Sequence, residues 1–74
     1  MRYEIDLHGF THDEAVFAVE DVLIKESMKS KFIDVTIITG HSPKLQDRII
    51  NDVLEKYGFS YYIPGWNTGQ IIVN

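Results

Sequence analysis

Asp6 and His8 stand two residues apart near the start of the chain, followed at once by Gly9. An imidazole at a strand end before a helix can act as a general acid or base, or contact a phosphate. It is equally at home as a surface histidine held by a backbone carbonyl. Asp6 on the same strand face would orient the imidazole and raise its basicity. Its other reading is a solvated carboxylate, or a cap for a neighbouring loop. Gly9 leaves room for a ligand to approach the main chain.

A second cluster is Thr39-Gly40-His41-Ser42. Free N–H groups at a helix N-terminus favour anions, and Gly40 would admit a phosphate to the main chain there; a tight turn explains the same glycine. Ser42 before Pro43 reads as a helix cap rather than a nucleophile. His41 is a second imidazole for the site, or simply an exposed loop residue. Lys44 and Arg48, four apart on one helix, make a basic patch for phosphate or an ordinary solvated face. Trp66, at a hairpin tip, can stack on a base or pack on its own hairpin. His12 reads as exposed. His8, His41 and Asp6 lack diagnostic metal spacing, so no metal site is assigned, and a divalent cation stays an unassigned candidate cofactor.

The elements that must position these residues follow from periodicity. Residues 2–8 alternate, with Tyr3, Ile5 and Leu7 on one face and Asp6 and His8 on the other, which predicts a strand. Thr11 and Glu14 form a capping box, with Phe10 in the staple position. The stripe Ala15, Val19, Val22 and Leu23 carries that helix to about Lys29. Phe32–Ile38 is β-branched and continuously apolar, the pattern of a central strand. Leu45, Ile49, Ile50, Val53, Leu54 and Tyr57 stripe a second helix stopped by Gly58. Phe59–Ile63 and Gln70–Asn74 are the last strands, joined by a turn over residues 65–69. The order is βαβαββ, an α+β two-layer sandwich. Strands one to three are expected to run parallel, so their outgoing loops gather at one sheet edge.

Composition bounds the class. Residues 1–74 are expected to form one domain, with 45% hydrophobic residues for a core. The absence of cysteine excludes disulfides and thiolate metal sites. No apolar run reaches the ~20 residues of a membrane span, and the charged start does not read as a signal peptide, so a cytoplasmic location and no membrane partner are expected. The net charge of −4 runs against a nucleic-acid partner. The acids concentrate in residues 1–21, however, which leaves a basic face later in the chain open. A monomer is expected.

The sequence Ile5-Asp6-Leu7-His8-Gly9, with Thr11 and Glu14-Ala15, resembles the Smr (small MutS-related) domain family, over essentially the whole chain. That family is marked by a Leu-Asp-Leu-His-Gly-like start, a Thr-Gly-x-Gly-like turn and an Asn- or Gly-containing hairpin, matched here by Asn67-Thr68-Gly69. The resemblance implies a stand-alone domain similar to the C-terminal domain of bacterial translation initiation factor 3. Its four-stranded mixed sheet would have the order 1-2-4-3, with two helices on one face. Some members nick DNA; others cleave or bind RNA. Carried over, Asp6, His8 and Gly9 match the first motif, and Thr39 and Gly40 the first half of the second. Ser42 replaces the second glycine.

Three readings follow. The first is an endonuclease cleaving DNA or RNA, with His8 as acid or base, Asp6 orienting it, and Gly9, Thr39, Gly40, His41, Lys44, Arg48, Trp66 and Asn67 holding nucleic acid. The second is a non-catalytic module binding nucleic acid or a ribosome-associated partner. The third is a protein-interaction domain. Ser42 favours the latter two; the intact Asp6-Leu7-His8-Gly9 favours the first two.

Overall fold

The computed structural model describes residues 2–74. Its elements are β1 (Tyr3–Asp6), α1 (His12–Lys29), β2 (Val35–Ile38), α2 (Pro43–Ile49), β3 (Tyr61–Tyr62) and β4 (Gln70–Val73). The α2 helix continues without interruption through a π-helical stretch (Ile50–Leu54) into a final α turn (Glu55–Tyr57). The sheet order is β1-β2-β4-β3. β1 and β2 are parallel, and β4 is antiparallel to both its neighbours. This is the expected α+β architecture.

Both helices lie on one face of the sheet. Val35, Ile37, Ile71 and Val73 point toward them and pack with Ala15, Val19 and Leu23 of α1 and Leu45, Ile49, Val53 and Leu54 of the second helical run. Fully burying one such aliphatic side chain is worth about 1.5–3 kcal/mol, so this layer fixes the register of every strand. Thr36 and Ile72 alternate to the opposite face, yet are also buried, and the Thr36 hydroxyl finds no partner among the described residues.

The capping expectations are met. Thr11 Oγ1 accepts the Glu14 N–H at 3.1 Å, and Glu14 Oε1 accepts the Thr11 N–H at 2.9 Å. Ser42 caps α2, with Pro43 in its first turn. Gly58 adopts φ 76°, and the N–H groups of Phe59 and Gly58 donate back to the Leu54 and Glu55 carbonyls, closing the helix.

Three boundaries differ from expectation. β1 stops at Asp6 instead of running to residue 8, because Leu7 already opens a turn. β2 starts at Val35 instead of Phe32: its neighbours reach only the level of Val35, where Tyr3 and Val73 pair with it. Phe32 is left 87% exposed, its N–H held by Ser30 Oγ. β3 has two residues instead of five, since the Phe59 N–H is committed to the helix end. The π-helical stretch had no signal in the apolar stripe. No helix among the described residues is long and apolar enough to cross a membrane.

Candidate functional site

The chain turns from β1 to α1 through a β-turn in which the Phe10 N–H donates to the Leu7 carbonyl at 3.1 Å. Gly9, at φ 81°, supplies the positive φ that a type II turn requires at its third position. His8 therefore lies in this turn, exposed, and not on the strand face beside Asp6. Asp6 Oδ1 accepts the His8 main-chain N–H at 2.9 Å. The carboxylate thus shapes the turn, and the expected Asp6–imidazole hydrogen bond is not formed.

The junction from β2 to α2 is built from distant parts. The N–H groups of Thr39 and Gly40 both donate to the Gly69 carbonyl, at 2.9 and 3.0 Å. Gln46 Nε2 donates to Thr39 Oγ1 at 2.9 Å and to the Thr68 carbonyl at 2.7 Å. The Thr39 hydroxyl lies within donating distance of the Gly40 and Gly69 carbonyls. A Cβ on Gly69 would stand 3.3 Å from Asn67 Oδ1 and 3.4 Å from Gly40 main-chain atoms, whereas one on Gly40 would meet open space. The two amides expected to receive a phosphate are thereby satisfied inside the protein.

The hairpin arrives as a β-turn closed by the Asn67 N–H on the Pro64 carbonyl at 3.1 Å. Asn67 Oδ1 accepts the Gly69 N–H at 3.0 Å, so this side chain shapes the loop. Trp66 stands at the turn 73% exposed and does not pack away on its hairpin.

The expected gathering at one sheet edge does occur. Asp6 is level with Ile38, which is level with Gln70. His8, Thr39-Gly40 and Gly69 consequently follow one another across the strand ends. Beside them an open cleft of about 240 Å³ is lined by His41, Ser42, Pro43, Gln46 and Thr68. Lys44 is exposed and forms no ion pair among the described residues. Arg48 differs: its guanidinium binds Asp13 at 2.7 Å and Asp52 at 3.4 Å, tying the second helix to the start of α1. The hydrogen bond that Arg48 donates to Asp13, with that carboxylate's charge, holds the Arg48 pKa above its ordinary value. The basic pair therefore does not act as one patch. Among the described residues, no three His, Cys, Asp or Glu side chains converge.

Sequence reasoning missed Gln46, Thr68 and the Gly69 carbonyl. Gln46 is a polar residue between two stripe positions, and nothing in its spacing separates a clamp from a solvated side chain. Gly69 contributes a main-chain atom, which no residue type announces.

A family model for the Smr domain matches residues 5–63, more than half of the chain. No curated protein and no solved structure matches it significantly.

Proposed function

The chain belongs to the Smr domain family, and from that premise we propose that it binds nucleic acid through the edge formed by the β1 turn, the Thr39–Ser42 junction and the Trp66 hairpin. Family membership points to a nucleic-acid-related role. The observation that carries the finer reading is Trp66, 73% exposed at a hairpin tip two residues before Thr68, which lines the cleft. An indole held in water at a hairpin tip suits stacking on an unpaired base, worth about 1–3 kcal/mol per base. Lys44, exposed and without an ion-pair partner, supplies a charge for phosphate, and His41 a further donor. Arg48 is not included, because Asp13 and Asp52 already neutralise it. With few free cations and a net charge of −4, binding leans on stacking more than on counterion release.

Trp66 is the only tryptophan, so its fluorescence reports on its own site. Titration with single-stranded RNA and DNA is expected to quench it, and Lys44→Ala to weaken binding. Trp66→Ala, followed by the anisotropy of a labelled oligonucleotide, is expected to lose about tenfold or more in affinity. Undiminished binding by Trp66→Ala would overturn the reading.

Phosphodiester cleavage is the second reading, favoured by one observation: His8 is exposed in its turn at the same edge. Asp6 would then act by fixing the turn that presents His8. Cleavage of plasmid or structured RNA, with and without divalent metal, that disappears in His8→Ala would support it. Cleavage that persists in that variant would sink the role.

A further inference from the structure

The outer face of α1 carries a line of large apolar side chains. Phe17 is 73% exposed, Ile24 37% and Met28 80%. At 100° per residue these three fall within about 40° of each other, opposite the buried Ala15, Val19 and Leu23. Single exposed apolar residues are ordinary; an aligned row marks an interaction surface. Phe32, 87% exposed, lies just beyond the C-terminal end of the row.

Charge selects the occupant. Residues 12–21 of α1 bear Asp13, Glu14, Glu20 and Asp21 and no Lys or Arg, and residues 22–29 bear Lys25, Glu26 and Lys29, with Lys31 just after the helix. A parallel partner would set like charges together. An antiparallel copy of the same helix sets the acidic first part against the part that carries the lysines, although Lys29 already pairs with Glu26 inside the helix. We propose that the outer face of α1 is the interface of an antiparallel homodimer, contrary to the monomer expected from sequence.

A two-fold axis crossing α1 beside Val22 and Leu23 places Phe17 against Met28 of the second copy, a favourable sulfur–aromatic pair. The same operation brings Lys25 to within one residue, about 1.5 Å along the axis, of the level of Asp21 of the second copy, and the reverse, as an isologous interface requires. Asp21 and Lys25 already pair within the helix at 3.0 Å, so two such pairs meet as a four-charge cluster. On this flank lies a shallow groove of about 150 Å³ lined by Tyr3, Asp21, Val22, Lys25, Glu26 and Lys29, which the second copy would cover. One helix pair buries less than the ~800 Å² per partner of a standard interface, so the dimer is expected to be reversible.

Sedimentation equilibrium of the whole chain at low salt, over a rising concentration series, tests the proposal. The expected result is a monomer–dimer equilibrium that Phe17→Ser and Met28→Ser each weaken about tenfold. Both side chains face solvent, so circular dichroism should show the fold retained. Asp21→Lys or Lys25→Asp alone is expected to weaken the dimer, and the two exchanges together to restore it. Because the chain has no cysteine, Phe17→Cys and Met28→Cys proteins can be mixed under oxidising conditions. The crosslink between positions 17 and 28 is expected to dominate. A monomer at every concentration overturns the proposal, as does a dimer indifferent to the two serine variants. A dominant crosslink between two copies of position 17 overturns the antiparallel arrangement.

Discussion

The two strand-to-helix junctions look alike in sequence and are held in different ways. Each has a strand, a glycine with positive φ, and a hydroxyl residue capping the next helix. The first is closed by its immediate neighbours: Asp6 holds the His8 amide, Phe10 reaches back to Leu7, and Thr11 and Glu14 cap each other. All these bonds span two or three residues. The second is closed from afar, by the Gly69 carbonyl and by Gln46 bridging to Thr68. A self-sufficient turn leaves its side chains free for solvent or ligand, and His8 is exposed. A junction that serves as the knot between β2, α2 and β4 has already used the amides that a phosphate would need.

The largest expected effect that tests this contrast comes from Gln46→Ala. It removes two part-buried or loop-anchoring hydrogen bonds, at about 1 kcal/mol net each, for a loss of about 2 kcal/mol in urea or thermal unfolding. Gly9→Ala and Gly40→Ala come next. Both glycines have positive φ and open space where a Cβ would go, so each substitution is expected to cost about 1 kcal/mol, from the backbone alone. A much larger loss at Gly40 would mean that the knot tolerates less than its geometry suggests. The smallest effect belongs to Asp6→Ala, about 0.5–1 kcal/mol, since the exposed His8 amide recovers water in place of the carboxylate. If Asp6→Ala cost more than Gln46→Ala in the same unfolding assay, the distinction between a local and a distant closure would fail.

A separate alkaline test concerns the second helical run. The Tyr57 hydroxyl donates to Glu20 at 2.7 Å, and this bond raises the phenol pKa above its ordinary value of 10.0. A raised folded-state pKa means that the stabilisation is present below the unfolded value and is lost as pH rises through the folded one. The absorbance titration of Tyr57, isolated by difference against Tyr57→Phe, is therefore expected to lie above pH 10.0 in the folded protein. Glu20→Gln should move it back toward the ordinary range.

Much of the fold was legible because it rests on local rules. The Thr11–Glu14 box, the Ser42-Pro43 start and the Gly58 stop are set by residues a few positions apart, and all three formed as read. The apolar stripes named most of the residues that pack on the sheet. Strand ends were less legible, because pairing depends on where the neighbours stop. Phe32 and Ile33 have every strand propensity and no strand partner among the described residues. At the candidate site, the residue types pointed to loops that the fold does gather at one sheet edge. They did not reveal that Arg48 is neutralised by Asp13, 35 positions away, or that Asp6 turns to a backbone amide instead of an imidazole.

The sequence by itself determined the elements, their caps, the helix face that is buried and the family to which the chain belongs, because each rests on periodicity or on short-range bonding. Tertiary structure alone decided which polar groups remain free at the sheet edge. Trp66 and Lys44 stay open and the Thr39 and Gly40 amides do not, because a main-chain carbonyl at Gly69 reaches those amides only after β4 has paired with β2.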